Sequence, residues 1–215
     1  VLPIWHAYER SAEYYFFSCG CTQSYTTIKN LKNDLARVRP VIMATVPRLW
    51  ESVLSGFDDA LKNMSPFMKV VIKLALINST KYKLSIRKFR GLSLKRVLLF
   101  NRACYLLELI VRWPIHTFVN FILWRKLLKK LSGGRLKYAI NGGGALAPHV
   151  DSFFEAVGLD LLVGYGLTET SPVLSCRRTW RNIRGSSGLP LPETEFQIVD
   201  LETRSPKTFG YRGLV

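Results

Sequence analysis

Between His6 and Gly20, apolar side chains recur at Ala12, Tyr15, Phe16 and Cys19, three or four residues apart, which predicts a short helix ending at the glycine. QSYTT (23–27) reads as a small strand. TTIKNLKNDLARVRP (26–40) sets Ile28, Leu31, Leu35 and Val38 on one face and stops before Pro40, a second helix. VIMATV (41–46) holds no charge and suits a strand buried on both sides; after Pro47, RLWESVLSGFDDALKNM returns to helical spacing. Helices and strands in alternation predict an α/β domain with a largely parallel sheet.

From about Ser65 to Leu131 the alternation stops. Two long apolar and basic stretches, with few turn signals apart from Gly91 and Pro114, read as two or three helices. After Gly133-Gly134 the rhythm resumes: LKYAI as a strand, NGGGALAP as a loop, HVDSFFEAVG as a helix, LDLLV as a strand, GYGLTETSP as a second loop, then turns and a strand at EFQIV (195–199). The expected organisation is thus an α/β segment at 1–64, a helical insert at 65–137 and a second α/β segment at 138–215. The chain opens on Val1 and stops at YRGLV, which reads as a strand just starting, so it is expected to be a fragment of a longer protein.

Charge sharpens the middle segment. Lys69–Lys137 holds 17 basic residues and one acid, Glu108, while the remainder carries 14 of each sign, so the whole net charge of +16 sits there. A neutral body with one basic, apolar insert suggests an attachment surface rather than a nucleic-acid coat, because Ile, Leu and Val outnumber the rings that stacking on bases would need. The longest charge-free stretch, WPIHTFVNFILW, is short of the ~20 residues of a spanning helix. Two readings stay open: contact with an anionic membrane surface, or a hairpin packed on its own domain with a solvated basic face. Four scattered cysteines exclude a disulfide framework, and Cys19-Gly-Cys21 has no partner pair at zinc spacing.

The candidate chemistry lies in the two loops. Each follows a predicted strand, where open α/β sheets bind their ligands. Three glycines, Gly142–Gly144, let the backbone approach a ligand closely and present N–H groups. Residues 142–147 also satisfy G-x-G-x-x-A, but a dinucleotide fold wants the helix to begin inside the motif, whereas Pro148 opens it afterwards. In GYGLTET, Tyr165 offers an aromatic face, Thr168 and Thr170 offer hydroxyls to phosphate, and Glu169 offers a carboxylate to Mg²⁺. Alternatively, Thr168 caps a following helix with Glu169 in its first turn.

These motifs resemble a known family. GYGLTETSP is similar to the signature of the acyl-adenylate-forming enzymes and NGGGALAP to their preceding glycine-rich motif. LPIWHAYER, VRPVIMATVPRLWE and GSSGLPLPETEFQIVD resemble flanking blocks of the long-chain fatty acyl ligase branch, and the wording is most similar to plant plastid long-chain acyl-carrier-protein synthetases. The resemblance implies part of the large N-terminal domain of such an enzyme, using ATP and Mg²⁺ to join a long-chain fatty acid to acyl-carrier protein or CoA. It implies a plastid location with membrane association, the endoplasmic reticulum or peroxisomal membrane being the alternative. Gly142, Gly143, Gly144 and Ala145 would line the adenine and acyl channels, and Gly164, Tyr165 and Gly166 would lie along the adenylate. Thr168 would bind the α-phosphate, Glu169 would hold Mg²⁺, and His6 would stand near the acyl and phosphate entrance, with Ala7 adjoining the nucleotide. For His6 a core role is the alternative, while His116 and His149 read as structural or exposed. The family's phosphate loop, ribose-binding aspartate and mobile-domain lysine are not among these 215 residues, so the isolated chain is expected to be inactive. The remaining alternative is a noncatalytic membrane-associated or regulatory remnant.

Overall fold

The computed structural model describes residues 3–27, 29–95, 97–208 and 210–215. Strands β1 (Ile42–Thr45), β2 (Tyr138–Asn141) and β3 (Leu161–Gly166) run parallel. Strands β4 (Val173–Cys176) and β5 (Leu189–Pro190) continue the sheet antiparallel, in the order β1-β2-β3-β4-β5. The expectation of a largely parallel sheet is therefore corrected to a mixed one. A parallel return needs a crossover of a dozen or more residues, and residues 167–172 supply only a turn between β3 and β4, so β4 has to come back antiparallel.

Two other expected strands are absent. Residues 23–27 form no strand: Gln23 donates to the Glu13 carbonyl at 2.8 Å and Thr26 to the Asp34 carboxylate at 2.6 Å, so side-chain bonds to flanking helices hold the segment. EFQIV contributes isolated bridges from Val199 to Pro206 and Leu214 and no ladder.

Helix α1 (Ala7–Ser18) buries no residue fully and is anchored by Tyr8, whose hydroxyl donates to the Ile140 carbonyl at 2.9 Å. Helix α2 (Leu31–Val38) buries Leu31; Ile28, expected on the same face, lies outside the described residues. Helix α3 (Pro47–Lys62) starts from Pro47 straight after β1 and packs with α7 (Pro148–Val157) on the sheet. Their contact is aromatic: Trp50 meets Phe154 edge-on with centroids 4.9 Å apart, and the indole N–H donates to Thr45 Oγ1 at 2.9 Å. Phe154, Val150, Val157 and Ala139 are wholly buried there, and apolar area removed from water at ~25 cal/mol per Å² is what holds α7 in place.

The middle segment is helical, as its periodicity predicts. Helix α4 (Pro66–Phe89) packs antiparallel on α5 (Leu99–Val119), which passes through a π-helical turn at Asn120–Trp124 into α6 (Arg125–Ser132). Pro114 sits inside α5 without ending it. The seam between α4 and α5 is polar. Ser79 Oγ accepts from Trp124 Nε1 at 2.9 Å and lies 3.0 Å from His116 Nδ1; Ser85 donates to Glu108 at 2.7 Å; Arg112 reaches Asn78 at 3.3 Å. Outward face Phe100, Leu107, Ile110, Val111, Trp113, Phe118 and Phe121, each more than half exposed. The charged residues between Phe100 and Trp124 are Arg102, Glu108 and Arg112, all partly buried, so the exposed positions of this stretch are uncharged. The outer face of α5 is thus apolar, whereas α4 also exposes Lys73 and Lys81. By length and composition the 33-residue run Phe100–Ser132 could cross a membrane, with 11% of its most apolar window buried.

Candidate functional site

The sheet brings the two glycine-bearing segments together. Asn141 pairs with Val163 across β2 and β3, so Gly142 and Gly164 leave neighbouring parallel strands side by side at the carboxyl edge. Gly142 is also tied to β1 through its N–H, which donates to the Thr45 carbonyl at 3.0 Å.

The glycines serve different ends. A Cβ on Gly142 would lie 3.0–3.2 Å from the Tyr8 ring, so a bare backbone lets α1 dock on the end of β2. Gly143 has φ +75°, a conformation costly for any residue with a Cβ. Gly144 meets only ordinary contact with Pro47, and Gly143, Gly144 and Ala145 are exposed. Ala147 then caps α7, with Pro148 at its first position, as the sequence predicts.

GYGLTETSP is not wholly a loop: Gly164, Tyr165 and Gly166 belong to β3. A Cβ on Gly166 would sit 1.6 Å from the Pro172 carbonyl oxygen, because the chain turns back on itself there, whereas one on Gly164 would find its nearest atom at 3.9 Å. Thr168–Thr170 form a single 3-10 turn. The hydroxyl that holds this turn is Thr170's: it accepts from the Leu167 N–H at 3.0 Å and lies within hydrogen-bond distance of the Leu167 and Pro172 carbonyls. The cap position considered for Thr168 falls instead to Leu167, onto whose N–H the Thr170 hydroxyl closes. The side chains of Thr168 and Glu169 are exposed, and neither has a hydrogen-bond or ion-pair partner among the described residues. Tyr165 is half-buried beside Ser175.

His6 caps α1: its Nδ1 accepts from the Tyr8 N–H at 3.2 Å, which leaves Nε2 to carry the proton of the neutral ring. Two residues on, Tyr8 places this helix start against Gly142. Burial, then the charges of Glu9 and Cys176, push the Tyr8 phenol far above its ordinary range, so it remains a donor to Ile140. Burial likewise raises the Cys176 thiol, against the pull of Arg178 and Arg177, so this sulfur is no ready nucleophile. His116 is buried in the α4–α5 seam and His149 is exposed, in line with the roles expected of them.

Three features escape sequence reasoning. Tyr8 sits in an unremarked position of α1. Asn141, directly beneath the glycine loop, is fully buried with neither amide atom hydrogen-bonded among the described residues. A buried ionic cluster joins Asp151 and Glu155 of α7 to Arg87, Arg177 and Arg184, residues 26 or more positions away. None carries a local signal, since each depends on a partner distant in sequence.

Among the described residues no three His, Cys, Asp or Glu side chains gather into a metal site, so a cation held by Glu169 would draw its other ligands from phosphate oxygens and water, as Mg²⁺ commonly does. A cavity of about 650 Å³ lies away from both loops, between α1, residues 21–26, α2 and β1.

The family model described as "AMP-binding enzyme" matches residues 1–215. The chain is 39% identical to a probable acyl-activating enzyme 16, chloroplastic, of Arabidopsis thaliana, covering 100% of this chain and 31% of that protein. It is 37% identical to a chloroplastic long-chain-fatty-acid–[acyl-carrier-protein] ligase of the same plant, covering 100% of this chain and 30% of that protein. It therefore spans about a third of the length of these relatives. Among solved structures, a long-chain-fatty-acid-CoA ligase from Archaeoglobus fulgidus matches with a TM-score of 0.56 at 12% identity, over 99% of this chain and 32% of that one, a likeness of fold.

Proposed function

Because this chain belongs to the AMP-binding enzyme family, we propose that its two glycine-bearing segments form part of the adenylate site of an ATP-dependent ligase that joins a long-chain fatty acid to the thiol of acyl-carrier protein or CoA. The observation that carries this reading is the juxtaposition at the sheet edge: Gly142 beside Gly164, with the Thr168 hydroxyl and the Glu169 carboxylate exposed and unengaged among the described residues. Side chains that held the turn together would be committed to it, as Thr170 is.

In this reading Gly142, Gly143, Gly144 and Ala145 face the adenine and acyl groups, Gly164, Tyr165 and Gly166 run along the adenylate, and Thr168 donates to the α-phosphate. Glu169 fits Mg²⁺ as a single accessible carboxylate; the ion, when bound, would offset phosphate charge. His6, held at the start of α1 by its own cap bond, lies toward the phosphate entrance. The reaction is the attack of a fatty carboxylate oxygen on the α-phosphorus with loss of pyrophosphate, followed by attack of a thiol sulfur on the acyl carbon with loss of AMP. The contribution of these residues is alignment and charge neutralisation.

Residues 69–137, which take in most of α4 and all of α5 and α6, are the membrane contact in the same reading, lying on the surface rather than spanning it. The uncharged outer face of α5 and the exposed Arg125, Lys126, Lys129 and Lys130 of α6 support it: apolar groups can enter the headgroup boundary while the bases meet anionic lipid. The chloroplastic relatives favour a plastid location.

Calorimetric titration of the chain with ATP, with and without Mg²⁺, tests the site. Thr168→Val is expected to weaken Mg·ATP binding by about tenfold, the loss of one hydrogen bond to a charged group, and Glu169→Gln, which removes the carboxylate that would hold the cation, to abolish the benefit of Mg²⁺. Binding unchanged in both variants refutes the assignment.

A further inference from the structure

The two segments of the site do not hold each other. No hydrogen bond joins residues 142–147 to 167–171 among the described residues, and Thr168 and Glu169 point to solvent. One layer below, α7 is bonded to the residue that follows the strand returning from the second turn.

Asp151 lies in the first turn of α7, which begins at Pro148 directly after the glycine loop. Arg177 follows β4 immediately, and its N–H donates to the Val163 carbonyl, one residue before Gly164. Between them Arg177 Nη1 donates to Asp151 Oδ2 at 2.7 Å, while Arg177 Nε donates to the Ser186 carbonyl at 2.7 Å. Both side chains are almost completely buried, 4% and 3% exposed. One turn along α7, Glu155 accepts from Arg87 Nε of α4 at 2.6 Å and from Arg184. Two carboxylates on one helix face thus take up three guanidiniums from three separate parts of the chain.

A buried ion pair is poor value as a source of stability, because desolvation offsets the attraction and a packed apolar pair would serve as well. It does impose geometry: a planar fork accepts its carboxylate in few orientations, and Arg177's second bond to Ser186 fixes the fork. We infer that Asp151 and Arg177 are positioning residues, a bolt that sets the glycine loop at the head of α7 against the β3–β4 turn carrying Thr168 and Glu169. The inference rests on the nucleotide reading for its purpose, but the coupling can be measured without nucleotide.

Four forms of the chain decide it: wild type, Asp151→Asn, Arg177→Lys and Glu155→Gln, the last breaking the Glu155 ion pairs on the same helix face while leaving Asp151 bonded to Arg177 and beside Arg184, whose Nε lies 3.8 Å from Asp151 Oδ2. Hydrogen–deuterium exchange well below melting is expected to rise at both 142–147 and 167–171 in Asp151→Asn, less in Arg177→Lys, and at neither together in Glu155→Gln. Mg·ATP affinity is expected to fall about tenfold in Asp151→Asn and about threefold in Arg177→Lys, within the range by which coupling residues act at a distance. If Asp151→Asn does not fold, Arg177→Lys carries the test. Exchange and affinity like wild type in the folded variants overturn the proposal, even with a lowered melting temperature. Should wild type itself bind no Mg·ATP, the nucleotide reading falls, while exchange confined to α7 would separately overturn the coupling.

Discussion

Gly164 and Gly166 stand two residues apart in one motif, yet the structure assigns them opposite reasons for lacking a side chain. Replacing Gly166 by Ala puts a Cβ 1.6 Å from the Pro172 carbonyl oxygen, 2.7 Å from its carbon and 2.9 Å from Val173 Cα. All three are backbone atoms, so relief requires the turn to open by about 1.8 Å to reach ordinary van der Waals contact at 3.4 Å. Overpacking of that kind costs about 2–3 kcal/mol, which for a chain of this size lowers the melting temperature by roughly 4–12 °C. Gly164→Ala meets nothing nearer than 3.9 Å and does not carry a left-handed φ; it is expected to be neutral, or to stabilise by up to about 1 kcal/mol by restricting the unfolded chain. If the bare backbone at Gly164 exists for a ligand, its methyl group instead weakens Mg·ATP binding by about tenfold or more. Thermal melts at 222 nm and calorimetric titration on the same preparations separate the two effects. A Gly164→Ala protein that melts several degrees low and binds as wild type, or a Gly166→Ala protein with an unchanged melt, would refute the division between structural and ligand-facing glycines.

Ser79→Ala removes the shared partner of His116 and Trp124, and should lower stability by about 1–3 kcal/mol in urea titration, the cost of stranding buried polar groups. Burial, then Lys83, lowers the His116 pKa to about 4. Because this lies below the unfolded value, its stabilisation is complete above about pH 6.5 and is lost as pH falls through about 4. The change, at most about 3 kcal/mol, should vanish from the pH profile of His116→Asn measured by urea titration. In flotation with vesicles containing anionic lipid, Phe118→Ser with Phe121→Ser should lower partition by about tenfold or more through lost apolar burial, with an unchanged melt; undiminished flotation would place the lipid contact elsewhere.

Sequence reasoning reached β1, β2 and β3 because each is an apolar run bounded by turn residues, and reached α3, α4 and α7 because their spacing repeats every three or four positions. It missed β4 and β5, which are four and two residues long and carry no alternation that a window could detect. It expected a strand at 23–27 from β-favouring residues, but a strand exists only where another offers an edge, and Gln23 and Thr26 are bonded to helices instead. At the candidate site, the motif residues were legible and their division of labour was not. That Thr170 is spent on its own turn while Thr168 and Glu169 remain exposed depends on where Leu167 and Pro172 come to lie.

What the amino-acid order alone determined is whatever local chemistry dictates: helix starts at prolines, the flexible run at 142–144, the concentration of charge between Lys69 and Lys137, and the family resemblance. Only the tertiary structure decided which way things face. The same helical periodicity in α4 and α5 is compatible with an apolar seam or a polar one, and packing chose the polar seam, closed by Ser79–Trp124 and Ser85–Glu108, with the aromatic face turned out. The link from Asp151 to Arg177 is likewise invisible in the chain's order, because a pair 26 residues apart becomes a contact only when α7 and the residue after β4 both come to lie beside β3. Periodicity is a property of one element, whereas orientation and partnership belong to two.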